Sequence, residues 1–275
     1  MSDTRPIGVF DSGTGGISVF QELVKLLPNE SFVYFADSAN CPYGSKAHER
    51  IIELSSQIVD FLIRKDCKAI VVACNTATAG AIDWLREHYH IPFIGMEPAI
   101  KPAALNTKTK SIGVLATAGT FKGRLYIETS RKYASDVNVC YQVGEGLVEL
   151  VEQDRVNTPE AEVLLKTYIQ PMLDCNIDQL VLGCTHYPFF KPLLKKILPL
   201  GVDIIDPAPA VAKQTQKVLK DSHLANKKEN SNTSFHFYSS SDTRVLKKLV
   251  EVVIKEVSIN KQNIQYFGNF NVSSD

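Results

Sequence analysis

The chain alternates short, fully apolar segments with segments of helical periodicity, and this alternation restricts the fold more than any other feature. Residues 7–10 are apolar and end at Asp11, and apolar residues at helical spacing then follow as far as Pro28. The apolar run 69–73 lies between two further helical patterns. Strands that are apolar on both faces and separated by helices are typical of parallel sheets covered on both sides. The sequence therefore predicts an α/β fold with parallel-rich sheets flanked by helices.

The same patterns predict the other main elements. Strands are expected over residues 32–35, 112–115 and 235–238, and another strand is expected to begin at residue 92. Helices are expected over about 46–65, 78–88, 211–219 and 246–257, and a polar surface loop is expected over 221–234.

Two strand ends of the first half recur in the second half. Residues 112–120 (IGVLATAGT) resemble residues 7–14 (IGVFDSGT), and residues 180–185 (LVLGCT) resemble residues 70–75 (IVVACN) at nearly the same offset. Such a repeat indicates two copies of one α/β plan. We expect one domain to comprise residues 1–98 and 208–275 and the other residues 99–207, with the active site in the cleft between them.

Charge and hydropathy exclude several classes of protein. Thirty Lys and Arg residues balance thirty Asp and Glu residues, so neither nucleic acid nor an anionic membrane is an expected partner. No run of about 18 apolar residues indicates a membrane span. The polar N-terminus leads directly into the first strand and does not resemble a signal peptide. The expected location is cytoplasmic.

The six cysteines show no CxxC spacing, which argues against a zinc ribbon or a thioredoxin-like motif. An even number of cysteines is compatible with disulfides, but free thiols are expected in a cytosolic chain. We interpret Cys67, Cys140 and Cys175 as small buried apolar residues. No group of residues has metal-ligand spacing and no lysine is marked for pyridoxal phosphate, so neither metal nor cofactor is predicted.

Cys74 and Cys184 differ because each follows a buried strand and precedes small hydroxyl or amide residues. Exposed amides at a helix N-terminus stabilise an anion and lower the pKa of a thiol. Two acid/base groups on opposite faces of a carbon can remove a proton from one side and return one from the other. The sequence thus predicts a pair of catalytic thiols that invert a stereocentre.

Three further residues are candidates for supporting these thiols. Asp11 ends the first strand and could contact Cys74, while His186 follows Cys184 by two residues. Glu152 is a candidate for orienting His186. Each has an alternative role: Asp11 as a turn or cap residue, His186 as an ordinary loop histidine, and Glu152 as part of a solvated helix face.

The glycine-rich turn 13–16 lacks both the P-loop sequence and GxGxxG spacing, so nucleotide binding is not favoured. Its amides could instead receive a carboxylate at a helix N-terminus. The dipeptides Tyr43-Gly44, Asn75-Thr76 and Thr185-His186 would add hydroxyl and amide donors to such a site.

Four segments carry a resemblance to a known family: residues 7–16 (IGVFDSGTGG), 36–44 (ADSANCPYG), 73–78 (ACNTAT) and 182–188 (LGCTHYP). Together they resemble the glutamate racemases of the aspartate/glutamate racemase family, over residues 6–257. The resemblance implies a cofactor-independent isomerase that interconverts L- and D-glutamate and supplies D-glutamate for peptidoglycan synthesis in a bacterium.

The family's two catalytic cysteines match Cys74 and Cys184, and its supporting residues match Asp11, Glu152 and His186. Its substrate-binding positions fall on Asp11, Ser12, Tyr43, Gly44, Asn75, Thr76, Thr185 and His186. Glu149, three residues before Glu152, stands where many relatives have proline. The resemblance is compatible with a homodimer and with activation by a UDP-linked muramyl-alanine.

Two alternatives remain open at this point. A related two-cysteine racemase or isomerase acting on aspartate, a hydantoin or maleate would share the paired strand-end cysteines. A non-catalytic two-domain protein that closes on a small acid would share the duplicated α/β plan. Exchange of the substrate α-proton with solvent distinguishes an enzyme from a binding protein.

Overall fold

A computed structural model describes residues 2–228, 233–257 and 259–272 of the 275-residue chain. The strands are β1 Ile7–Asp11, β2 Phe32–Ala36, β3 Ala69–Val72, β4 Phe93–Gly95, β5 Ser111–Ala116, β6 Asn138–Val143, β7 Gln179–Gly183, β8 Asp203–Ile205, β9 Phe235–Ser239 and β10 Ile264–Phe267. The helices are α1 Ile17–Leu26, α2 His48–Arg64, α3 Asn75–His88, α4 Ile100–Asn106, α5 Ala118–Lys122, α6 Arg124–Tyr133, α7 Leu147–Glu152, α8 Pro159–Asp174, α9 Lys191–Ile197, α10 Ala208–Asp221 and α11 Arg244–Val257.

The strands form two sheets in which all the described pairs are parallel. The first has six strands in the order β10-β9-β2-β1-β3-β4, and the second has four in the order β6-β5-β7-β8. The order β2-β1-β3-β4 is repeated as β6-β5-β7-β8. Gly8 lies opposite Ile70 in the first sheet, and Gly113 lies opposite Leu180 in the second. The predicted α/β class and the predicted duplication are therefore confirmed.

Helices cover both faces of the first sheet because its central strands are apolar on both sides. One core cluster joins α1, α10 and α11 to the sheet, and the other joins α2 and α3 to it. The second sheet is covered likewise, by α7, α8 and α9 on one face and by α4 on the other. The apolar strands are thus buried on both faces of each sheet, as is typical of parallel sheets.

The C-terminal segment returns to the first sheet, where β9 pairs with β2 and β10 pairs with β9. The strand β10 was not predicted. Helix α3 begins at Asn75, three residues earlier than predicted, and α10 extends to Asp221. Part of the predicted loop 221–234 lies outside the described residues.

The expectation of free thiols is wrong for two cysteines. Cys140 on β6 and Cys175 at the end of α8 form a disulfide, with their Cα atoms 6.6 Å apart. Folding brings together two residues that are 35 positions apart, which spacing alone does not reveal. Cys67 is buried in the apolar core, as predicted. Among the described helices, none is long and apolar enough to cross a membrane.

Candidate active site

Hydrogen bonds at the carboxyl ends of β1, β3 and β7 connect the surroundings of the two predicted cysteines. Cys74 lies just beyond β3 and caps the N-terminus of α3, its Sγ accepting a hydrogen bond from the amide of Ala77 at 3.3 Å. Cys184 follows β7 directly. The two residues are only 4 % and 7 % exposed, so both thiols lie in a largely dehydrated site.

Asp11 reaches Cys74 through an intervening hydroxyl. The Cys74 thiol donates to Ser12 Oγ at 3.5 Å, and that hydroxyl donates to Asp11 Oδ1 at 3.0 Å. The other carboxylate oxygen of Asp11 accepts from Thr185 Oγ1 at 2.9 Å. Asp11 therefore links the surroundings of the first thiol to the residue that follows the second thiol.

Hydroxyl groups supply further contacts across the cleft. The hydroxyls of Thr76 and Thr117 lie 2.9 Å apart and join the ends of β3 and β5. Tyr43 is buried and donates its hydroxyl proton to Asp37 at 2.6 Å, so that hydroxyl is already engaged. The amide oxygen of Asn75 is buried and has no hydrogen-bond partner among the described residues. An unpaired acceptor of this kind is costly unless a ligand satisfies it.

An imidazole and a carboxylate lie next to the second thiol. Cys184 Sγ lies 3.8 Å from His186 Nδ1, and His186 Nε2 lies 2.8 Å from Glu152 Oε1. Helix α7 places Glu152 at its last turn, whereas Glu149 points to solvent. The structure thus brings His186 and Glu152 together and leaves Glu149 on the solvated face.

The glycine-rich turn holds this carboxylate of the protein itself. Glu152 Oε1 accepts from the backbone amide and the hydroxyl of Thr14, and Oε2 accepts from Ser38 Oγ. A Cβ at Gly13 would lie 2.3 Å from Glu152 Oε1, and one at Gly15 would lie 2.2 Å from His186 Nδ1. Glycine is needed here because the imidazole and carboxylate pack directly on the turn. The amides of Gly13 and Thr14 thus donate to the protein's own carboxylates, those of Asp11 and Glu152.

The predicted lowering of the thiol pKa is wrong for Cys74. Burial, followed by the nearby charge of Asp11, raises the pKa of Cys74 to about 12, and the hydrogen bonds from Ser12 and Ala77 do not compensate. Burial also raises the pKa of Asp11, against the opposing effect of the His186 charge. Burial next to Asp11 therefore disfavours the thiolate form of Cys74.

For the His186–Glu152 pair, in contrast, hydrogen bonds outweigh the effect of burial on the pKa values. Burial disfavours the charged imidazole, but hydrogen bonds to Cys184, Cys41 and Glu152 outweigh it and raise the pKa of His186 well above its usual value. Burial also disfavours the Glu152 carboxylate, yet His186 and Thr14 lower its pKa overall. An imidazolium paired with a carboxylate thus stands beside the second thiol.

Cys41 is a third cysteine of the site that the sequence patterns did not indicate. It precedes a cis peptide bond to Pro42 and is partly buried. Burial raises the pKa of its thiol to about 11, against the influence of His186. Its only sequence signal is its place in the loop that also supplies Tyr43 and Gly44.

A neighbouring cavity of about 340 Å³, lined in part by Pro42, Gly44 and Thr117, lies between this loop and the second sheet.

Comparisons with known proteins agree on one family. The model of the Asp/Glu/Hydantoin racemase family matches residues 7–215. The chain is 44% identical to the glutamate racemase of Herpetosiphon aurantiacus over 238 residues, which cover 86% of this chain and 93% of that relative.

Two solved structures are similar over nearly the whole chain. The glutamate racemase of Francisella tularensis in complex with D-glutamate is 33% identical, with a TM-score of 0.82, over 99% of this chain and 100% of that one. The Escherichia coli glutamate racemase in complex with L-glutamate and the activator UDP-MurNAc-Ala is 31% identical, with a TM-score of 0.81, over 97% and 100% of the two chains.

Proposed function

The chain belongs to the Asp/Glu/Hydantoin racemase family, and from this premise we propose that it is a glutamate racemase that uses Cys74 and Cys184 as its two acid/base groups. The observation that carries the mechanism is the placement of the two thiols. Each follows the equivalent strand, β3 or β7, of two sheets with the same strand order, and each is buried. The hydrogen bonds of Asp11 to Ser12 and to Thr185 connect their surroundings.

One thiolate removes the α-proton of glutamate, and the electron pair of the broken C–H bond remains on the α-carbon. The thiol on the opposite face then donates its proton to that carbon, which gives the other enantiomer. The acceptor sulfur becomes a thiol and the donor sulfur a thiolate, so the two groups exchange roles. No electron leaves the substrate, and this reaction requires no cofactor.

The environment of Cys74 suggests how its thiolate forms. Its pKa is raised to about 12 because the thiol is buried next to Asp11. The α-ammonium group of a bound glutamate would bring a positive charge into this dehydrated site, and an opposite charge nearby favours the ionised thiol. We propose that Asp11 and Ser12 position this thiol, with Ser12 bridging the carboxylate and the sulfur.

His186 and Glu152 are proposed to support Cys184. An imidazolium 3.8 Å from the sulfur would stabilise negative charge that develops there when Cys184 acts as the base. Glu152 holds that imidazolium in place through a 2.8 Å hydrogen bond. The second thiol thus has a cationic partner, while the first has an anionic one.

Substrate binding is proposed for residues around both thiols. The unpaired acceptor of Asn75 and the hydroxyl groups at the ends of β1, β3 and β7 suit the ammonium and carboxylate groups of glutamate. The proposed substrate-binding residues are Asp11, Ser12, Tyr43, Gly44, Asn75, Thr76, Thr185 and His186.

The two sheets support a division into a domain of residues 1–98 and 208–275 and a domain of residues 99–207, since each sheet draws its strands from one of these parts. We further propose that the enzyme supplies D-glutamate for peptidoglycan synthesis in the cytoplasm. A homodimer and activation by a UDP-linked muramyl-alanine are also proposed, the latter because the E. coli relative binds such an activator.

Polarimetry with single amino acids tests the proposed function. The purified protein should abolish the optical rotation of L-glutamate and of D-glutamate but leave L-aspartate unchanged. In ²H₂O the glutamate should gain deuterium at the α-carbon. Activity on aspartate alone would assign the chain to another racemase, and binding without deuterium exchange would make it a binding protein.

A further inference from the structure

Three metal-binding side chains from separate segments converge behind the second thiol. Cys41 comes from the loop after β2, Glu152 from the end of α7, and His186 from the turn after β7. Their ligand atoms all lie within 4.8 Å of one another. No local spacing predicted this group, because its members are brought together only by the packing of the two sheets.

The three ligand types together suit one class of metal ion. A thiolate, an imidazole and a carboxylate are the usual ligands of Zn²⁺ in proteins, and a site with three of them leaves one position open. The soft sulfur ligand favours zinc over Mg²⁺ or Ca²⁺, which prefer oxygen ligands only. The ligand set therefore indicates a soft divalent cation.

The surroundings are already arranged for such an ion. Thr14 and Ser38 donate hydrogen bonds to the Glu152 carboxylate and fix its direction, as outer-shell groups do in metal sites. A Cβ at Gly13 would lie 2.9 Å from Cys41 Sγ, so glycine keeps the space next to the sulfur open. The side chain of Glu152 is 18 % exposed, and Cys41 is partly exposed, so the group is not sealed from solvent.

We propose that Cys41, Glu152 and His186 form an inhibitory binding site for Zn²⁺. The ion takes the place of the proton between His186 Nε2 and Glu152 Oε1 and displaces the thiol proton of Cys41. Both protons pass to solvent, three metal–ligand bonds form, and no group is oxidised or reduced. Since binding releases protons, affinity rises with pH.

The effect on activity rests on the proposed function. A metal-bound imidazole no longer carries the proton that gives it a positive charge, and it is held away from the Glu152 carboxylate's hydrogen bond. The bound ion also draws the imidazole from its place 3.8 Å from Cys184 Sγ, so the support of that thiol is weakened by displacement and racemisation slows until the ion is removed.

Cobalt titration tests the site without relying on activity. Co²⁺ added to the substrate-free protein, in a non-chelating buffer, should give a thiolate-to-cobalt charge-transfer absorption that saturates at one ion per chain. Cys41→Ser should lose this absorption and bind Zn²⁺ at least about 10- to 100-fold more weakly, since even outer-shell changes cost that much. Cys67→Ala removes a thiol from the apolar core and should bind like the wild type.

Racemase assays test the inhibition separately, with each variant compared with its own metal-free rate. Zn²⁺ should inhibit the wild type and Cys67→Ala, a chelator should restore both, and Cys41→Ser should resist. Metal binding that Cys41→Ser leaves unchanged, or an absence of thiolate-to-cobalt absorption in the wild type, would overturn the site. Cobalt binding at Cys41 without inhibition would overturn the inhibitory role and count against the proposed function of His186.

Discussion

Replacing Glu152 by glutamine isolates the contribution of one buried charge. The amide keeps the shape of the side chain and can still accept from Thr14, but it no longer carries the negative charge that holds the His186 imidazolium. A hydrogen bond to a charged group contributes about 1.5–3 kcal/mol. At 1.36 kcal/mol per factor of ten, kcat/KM should fall by about 10- to 150-fold.

Glu149→Gln is the matched control, because Glu149 lies on the same helix α7 but is exposed. It should retain wild-type kcat/KM. Initial rates would be followed by circular dichroism from both enantiomers, together with thermal unfolding to detect any loss of fold. The enantiomers have equal free energy, so kcat/KM must fall equally in both directions, which checks the assay itself. A Glu152→Gln rate within about twofold of wild type, or an equal loss in Glu149→Gln, would refute the proposed support of His186.

Three other predictions follow from the same geometry. Cys74→Ala and Cys184→Ala should each abolish racemisation while keeping the wild-type circular dichroism spectrum, and measurable turnover in either would contradict a two-base mechanism. Gly15→Ala should lower kcat/KM by at least about tenfold, because its Cβ would meet His186 Nδ1 at 2.2 Å and displace the imidazole. A rise of about 1.4 kcal/mol in the activation free energy is enough for that factor. Unchanged kinetics would mean that the position of the imidazole does not matter. Because the pKa of His186 is raised, its charged form stabilises the fold fully below pH 6.5, its ordinary pKa, and this contribution is lost as the pH rises through the folded-state pKa. Because the pKa of Glu152 is lowered, its charged form contributes fully above pH 4.5, and that contribution is lost at lower pH. Urea unfolding should therefore show the largest difference between wild type and His186→Gln between pH 4.5 and 6.5, and a difference that grows above pH 8 would be inconsistent with these shifts.

The positions of the two cysteines could be predicted from sequence because they depend on local structure. A buried parallel strand places the residue after its last apolar position at the carboxyl edge of the sheet. The repeated strand ends at Cys74 and Cys184 thus sufficed to place both thiols at equivalent edges. The strand order β2-β1-β3-β4 and its repeat β6-β5-β7-β8 agree with that reasoning.

Contacts between distant segments could not be predicted in the same way. Helical periodicity places Glu149 and Glu152 one turn apart, and only the docking of α7 against the turn at Thr14 selects Glu152. Cys41 joins the site because the loop after β2 packs against His186. The pKa of Cys74 also shifts upward and not downward as predicted, because helix-end amides act locally whereas burial depends on packing by distant segments.

The proposed exchange of the α-proton by two different thiols is tested most directly by the position of deuterium after a short incubation in ²H₂O. The wild-type protein would be given L-glutamate or D-glutamate and stopped at low conversion, and each enantiomer would be separated and its α-deuterium measured. We predict that deuterium enters the product enantiomer from either direction, while the remaining substrate keeps its original proton. Product that retains the original proton, or substrate that gains deuterium as fast as product, would show a single base and contradict the account.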